Sequence, residues 1–378
     1  MRFGLSDDQQ AVQRAARGFL AREATSAAVR AACSSDEGFS RATWTSLSSE
    51  LEWTSLPFAE ADGGAGLSWV EVAAVMEELG RAPLPSPFFA SVCLAGATIA
   101  AAGSSVQRAE LLPRIAGGAI ATTAWTDPAG GCTPGATTVI AQREGDTYGL
   151  SGELGYVIDG VAADFLVVAA REAGSSGDDA LSLFVVPGAA AGLERRRVPT
   201  MAQTIRLATL RLRDVRVSRS ARLGDEGAGA APLARALDVA AIALAAEQVG
   251  GADRALEMAV EHAKARVQFG RPIGSFQAVK HACAGMLVDV EMARATAYYA
   301  AYVAATDGGE LGVASAHAKA AASDAYLRCA GQSIQIHGGI GFTWEHDAHL
   351  HFKHARATAT LLGDAGYHRE RYATAIGL

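Results

Sequence analysis

The sequence predicts an α+β multidomain chain: an N-terminal helical domain over 1–120, a β domain over 121–225 and a C-terminal helical bundle over 226–378. Three observations carry this. The hydrophobic period is helical at both ends of the chain and strand-like between them. Half of the 378 residues are hydrophobic and 19% are charged, which excludes wholesale disorder. Much of the apolar fraction is alanine, a strong helix former.

The elements follow in order. Ser6 before Asp7 and Asp8 reads as an N-cap with acids in the first turn, and Val12, Ala15, Ala16, Phe19 and Leu20 recur at helical spacing. A Gly-rich break at 62–66 precedes a second helix with Val70, Val72, Ala73, Val75, Met76 and Leu79 inside and Gly80 as its stop. Pro83, Pro85 and Pro87 then mark a loop before another apolar helix. Strands are predicted over 122–125, 137–141, 165–170, 181–186 and 207–217, separated by Gly, Asp and Pro clusters, with a polar hairpin loop at 173–179. Long helices follow over 233–266, 275–306 and 309–331, and a last one over 344–362.

A net charge of −7 argues against sequence-independent nucleic-acid binding, which draws on clustered Lys and Arg. No apolar run reaches the roughly 18–20 residues of a membrane span, and the N-terminus lacks a signal-peptide pattern. Cys33, Cys93, Cys132, Cys283 and Cys329 are scattered and odd in number, so neither a disulfide framework nor a zinc site is expected. Cytoplasmic residence with reduced thiols is the expectation.

Two segments hold most of the functional information. One runs from Arg266 through Gln268, Phe269, Gly270, Arg271, Pro272 and Ile273 to Gln277, and the other from Gln335 through His337, Gly338, Gly339 and Gly341 to Glu345. Arg266 can place a guanidinium on a pyrophosphate. Gln268 and Gln277 offer amides, and Phe269 and Ile273 apolar surface. Gly338 and Gly339 let backbone N–H groups approach a phosphate or ribose. Both segments resemble signature stretches of the acyl-CoA dehydrogenase family. The N-terminal helix, the Gly63-Gly64 break and the stretch from Thr200 through Arg206 to Val217 resemble it in the same order, so the likeness spans essentially the whole chain. The resemblance implies a middle β-barrel domain and a C-terminal four-helix bundle. It implies FAD as cofactor, an acyl-CoA substrate and an electron-transfer flavoprotein as acceptor. The dinucleotide end of each site would be supplied across a subunit interface, in a homo-oligomer or an α2β2 assembly with a homologous chain.

The same resemblance assigns the flavin ring to the β domain, at Trp125, Thr126 and Tyr156. Tyr156 would stack on the ring where the family usually has Trp. Ile158 stands where the family usually has a hydroxyl, which removes one side-chain hydrogen bond.

Dehydrogenation needs a carboxylate to take the α-proton. Counting from Gly338-Gly339, Leu362 occupies the place of the usual glutamate, and Ala240 occupies the alternative place on the long helix; neither accepts a proton. Glu247 lies two turns beyond Ala240 on the same helix face, after the uncharged stretch 239–246. Desolvation there would raise its pKa and suit a base. Asp364 is the second candidate, with a turn residue as its alternative reading. The third possibility is that this chain carries no base. Actinobacterial relatives of steroid side-chain breakdown look like this, with two related chains sharing each site. A bulky CoA ester is then the implied substrate, and the small side chains from Ala240 to Ala246 leave room for it, though close helix packing explains them as well. Alternative readings are a non-catalytic partner that completes a neighbour's FAD site, or a flavin oxidase on the same fold. His346, His349, His351 and His354 read as a solvated or interface helix face rather than a metal site. Arg195, Arg196 and Arg197 read as a strand-edge charge cluster.

Overall fold

A computed structural model describes residues 4–175, 180–306 and 308–378. The N-terminal helices are α1 (Asp7–Glu23), α2 (Ser26–Ser34), α3 (Arg41–Thr45), α4 (Trp69–Arg81), α5 (Ala97–Ala102) and α6 (Ser105–Ala116). Their starts are written in the sequence. Ser6 with Gln9, Ser68 with Glu71 and Ser104 with Gln107 each close a reciprocal capping box on α1, α4 and α6. The expected stop at Gly80 is overturned: α4 runs through it to Arg81. A Cβ at Gly80 would lie 1.8 Å from the carbonyl oxygen of Glu247, so the glycine exists to let two helix backbones touch.

The middle region contains β1 (Ala121–Ala124), β2 (Ile140–Glu144), β3 (Thr147–Ile158), β4 (Phe165–Glu172), β5 (Leu181–Pro187), β6 (Leu193–Val198), β7 (Leu207–Ser218) and β8 (Arg222–Leu223). Among the described residues they form one eight-stranded sheet in the order β6-β7-β3-β2-β4-β5-β8, with β1 added parallel to β4. The strand expected over 137–141 starts later, at Ile140; β3 and β8 lie outside the expected strand ranges, and β6 is the strand that the Arg195–Arg197 edge cluster implied. Gly149, Gly152 and Gly155 interrupt the alternation of β3, and its register against β7 shifts at two bulges. The Arg195–Arg197 cluster lies on β6, an edge strand, where Nη1 of Arg195 donates to the carbonyls of Val161 and Ala163 at 2.9 and 2.8 Å. Residues 176–179 of the expected hairpin loop lie outside the described residues.

The C-terminal helices are α7 (Ala230–Ala265), α8 (Gln277–Ala305), α9 (Leu311–His337), α10 (Ala348–Thr360) and α11 (Ala365–Ala375). A short hairpin, β9 (Val267–Gln268) and β10 (Arg271–Pro272), joins α7 to α8. α11 was not anticipated; Asp364 is its N-cap, accepting from the backbone N–H of Tyr367 at 2.8 Å. Ala240, Ala241, Ala243, Ala245 and Ala246 are all buried, at 2% exposure or less. They serve close packing of α7 rather than an open pocket wall. A Cβ at Gly250 would lie 1.7 Å from the carbonyl oxygen of Glu77 on α4, so the two helices cross at backbone contact twice. Glu77 and Glu78, both 2% exposed, are met there by charged partners. Arg294 of α8 and Tyr298 bond Glu77 at 3.1 and 2.6 Å, and Arg17 of α1 bonds Glu78 at 2.8 Å. Buried charges that would be costly alone are thereby paired across α1, α4 and α8.

Candidate functional site

Glu247 lies on α7 at the meeting of all three regions. Its side chain is 14% exposed, and Oε1 stands 2.8 Å from Nε2 of His354 on α10, itself 4% exposed. The other imidazole nitrogen, Nδ1, lies 2.7 Å from Oγ1 of Thr204, in the segment before β7. With Glu247 ionised, Nε2–H donates to the carboxylate; when His354 is neutral, Thr204 O–H then donates to Nδ1. One carboxylate oxygen is thus held, and Oε2 has no hydrogen-bond partner among the described residues. The carboxylate faces a cavity of about 50 Å³, walled by Leu84, Phe89, Ile158, Leu244, Thr358 and Leu361.

The histidine cluster is buried, contrary to the solvated or interface face expected. His349, His351 and His354 are 7%, 3% and 3% exposed. Their spacing placed them on one face, and that face turns inward. Nδ1 of His351 meets the Tyr326 hydroxyl at 3.0 Å, and burial pushes its pKa down to about 3. His346, the fourth member, is only half-buried. Among the described residues no three His, Cys, Asp or Glu side chains converge on a metal position.

The segment that replaces the usual glutamate is shaped by its backbone. Leu362 has φ 60° and Gly363 φ 99°, both left-handed. Nζ of Lys319, fully buried on α9, donates to the carbonyl of Gly363 at 3.3 Å and to Ser323 Oγ at 2.9 Å. Burial pushes that ammonium down to about 7. Leu362 itself lines a separate cavity of about 90 Å³ with Cys132, Leu237, Asp238, Tyr367 and Arg371. Leu361 and Leu362 therefore divide one cavity from the other.

The two glycine-bearing segments come together at the far end of the bundle. The rings of His262, near the end of α7, and His337, ending α9, stack at 4.5 Å. Arg266, Gln268, Gln277, Gln335, Gly338 and Gly339 are exposed beside them, and Ile273 is half-buried. Phe269, at φ 55° in the hairpin turn, is 90% exposed and meets Phe276 edge-on at 6.1 Å. Nothing lies within 4 Å of where a Cβ would stand on Gly338 or Gly339, so their backbones are open to an approaching phosphate. This donor set suits a dinucleotide.

The ring-binding trio is less uniform. Tyr156 sits at a β3 bulge with φ 54° and is 46% exposed, an open aromatic face. Trp125 is 4% exposed and its indole N–H donates to the carbonyl of Cys132 at 3.3 Å, so it presents no such face. Thr126 donates its hydroxyl proton to the carbonyl of Gly155, leaving only its oxygen as an acceptor. Sequence reasoning did not single out Thr204 or His354 as partners of Glu247. The only signals were the Thr200-to-Arg206 stretch and the i,i+3 histidines.

Comparison with known proteins agrees with this geometry. The chain matches the acyl-CoA dehydrogenase N-terminal domain over residues 6–119 and the C-terminal domain over 227–377. It is 35% identical over 356 residues to the acyl-CoA dehydrogenase IpdE2 of Mycobacterium tuberculosis, covering 94% of this chain and 93% of that one. Its structure resembles the butyryl-CoA dehydrogenase of Megasphaera elsdenii with a TM-score of 0.92 at 28% identity, covering 100% of both chains. It also resembles a variant of the Tcur3481-Tcur3483 steroid ACAD with a TM-score of 0.87 at 32% identity, covering 98% of both. Among the described residues no helix is long and apolar enough to cross a membrane. The chain belongs to the acyl-CoA dehydrogenase family, flavoprotein oxidoreductases acting on CH–CH groups.

Proposed function

We propose that this chain binds FAD and dehydrogenates the α,β bond of a bulky acyl-CoA thioester, with Glu247 taking the α-proton, as one subunit of an assembly with a homologous chain. The observation that carries the reading is the Glu247–His354 pair at the wall of a cavity beside Leu361, where the usual carboxylate is absent. His354 holds one oxygen of Glu247, and Oε2 is the atom that accepts the proton. The apolar walls at Phe89, Leu244 and Leu361 exclude water from that transfer. When bound, FAD accepts the hydride leaving the β-carbon, chemistry that no side chain here supplies. Arg266, Gln268, Phe269, Ile273, Gln277, Gln335, Gly338 and Gly339 would hold the dinucleotide, and Tyr156 would cover the ring. An electron-transfer flavoprotein would take the electrons onward.

Helical rise supports a site shared between chains. Arg266 lies 19 residues after Glu247, about 28 Å along α7 at 1.5 Å per residue, so the dinucleotide segments stand far from the carboxylate of their own chain. The steroid ACAD similarity, to a protein named as a pair of chains, supports a steroid-type CoA ester and a hetero-assembly.

Glu247→Gln tests the base. Turnover should fall by about a hundredfold or more while flavin absorbance is retained; near-normal turnover rejects the assignment. A second reading, a partner that only completes a neighbour's FAD site, draws on Leu362 and Ile158. It is favoured if Glu247→Gln is silent in a reconstituted assembly whose activity needs Arg266.

A further inference from the structure

The cavity beside Glu247 continues toward a larger one of about 300 Å³, and Asp159 and Arg206 line both. The larger cavity is apolar along Phe39, Val161 and Leu207 and carries Arg206, Asp159, Arg197, Arg41, Asp36 and Glu37 on its polar side. Its volume is within the range of small-molecule sites.

Arg206 is the unexplained group. Its Nη2 donates to the carbonyls of Cys33 and Ser35. Nε and Nη1 are buried from solvent and have no hydrogen-bond partner among the described residues. A guanidinium with two unmet donors in a closed place calls for an acceptor, since buried donors left unpaired are costly and rare. The fold makes room for it. Gly38 has φ 84°, and a Cβ there would fall 2.0 Å from Nε of Arg206. The glycine is the cradle in which the guanidinium lies. Asp159 does not neutralise it, since no ion pair joins the two. Burial pushes that carboxyl up to about 7, so near neutrality a large share of it is protonated and able to donate. Cationic and protonated donors therefore share the wall of the larger cavity, which Leu361 and Leu362 do not line.

We propose that Arg206 is a specificity-determining residue that binds an oxygen acceptor, a ketone or a carboxylate, on the acyl group at the end remote from the thioester. The proposal rests on the acyl-CoA reading above only for the direction in which the thioester enters. A plain alkyl chain would leave Nε and Nη1 as unmet as they are without it. An oxygenated one satisfies them, and such sites discriminate strongly against analogues lacking the acceptor.

The test uses three CoA thioesters: cyclohexylpropanoyl-CoA, its ring ketone and its ring carboxylate. Dissociation constants are measured by calorimetry on the purified protein in the assembly in which it purifies, for the wild type and for Arg206→Met. Thermal melts establish that the variant is folded. The expected result is about ten- to a hundredfold tighter binding of one or both oxygenated thioesters by the wild type, lost in Arg206→Met. Which of them is preferred tells ketone from carboxylate. Equal binding of all three, no binding of any, or a preference that survives in Arg206→Met overturns the proposal. Turnover measured in parallel judges the dehydrogenase reading separately: a binding preference without turnover keeps this inference and rejects that one.

Discussion

Nε2 of His354 stands 2.8 Å from Oε1 of Glu247 and joins α10 to the middle of α7. A positioning residue of this kind should act on kcat more than on KM. For His354→Phe we expect kcat to fall about ten- to a hundredfold, the worth of one hydrogen bond to a charged group. The limb of the pH–rate profile that reports the base should move as well. His354→Gln, which keeps an N–H donor, should recover part of the rate. Steady-state kinetics across pH check all three.

Gly80 touches the carbonyl of Glu247, and no Cβ fits between them. Gly80→Ala should destabilise by about 3 kcal/mol, the upper end of the usual overpacking cost. Gly285→Ala on α8 is the control. Nothing lies within 4 Å of its Cβ position, and alanine should stabilise that helix by about 0.5–1 kcal/mol. Urea titrations separate the two outcomes.

Burial holds His351 neutral down to about pH 3, whereas an unfolded histidine titrates at its ordinary value of about 6.5. As pH falls from 6.5 toward 3 the unfolded chain binds a proton that the native chain refuses, so native stability falls. Each such proton costs about 1.4 kcal/mol per pH unit. His351→Asn should flatten the acid limb of the stability curve across that window and change its slope little above pH 7. Denaturant midpoints measured from pH 4 to pH 8 check it.

On α8 the side chains of Leu287, Val288 and Met292 are 50%, 57% and 66% exposed, and Tyr299 and Tyr302 continue the patch. An apolar face of this kind marks an interaction surface. Val288→Asp together with Met292→Asp should shift sedimentation toward smaller species. If the dinucleotide is held across chains, the same variant should also lose flavin on gel filtration.

Local signals were legible in the sequence wherever one stretch of chain decides the matter. Ser6, read as a cap, sits at a real helix start, and Ser68 and Ser104, which were not singled out, carry the same three-residue signal. The segments around Phe269-Gly270 and Gly338-Gly339 were likewise visible as motifs, though not their hairpin and turn. What failed was long-range. Gly80 reads locally as a stop, and the alanines of α7 read equally as open space or as close packing. Only the crossing of α4 over α7 shows that both serve one close contact. The Thr204–His354–Glu247 chain joins three elements far apart in sequence, and no spacing rule ties a β7 approach to α10. Burial of the histidine face depends on what α10 packs against, which periodicity alone does not tell.

The contact between Gly80 and Glu247 has a consequence for how acyl preference can change. It is backbone against backbone, so substitutions of α7 side chains alone cannot move the carboxylate along or away from its helix. The Glu247 position behaves as a fixed datum. Drift toward a longer, shorter or differently decorated substrate must then be written on the opposite walls, at Phe89, Thr358, Leu361 and the Arg206 end. Those are the positions where relatives of different appetite should part company.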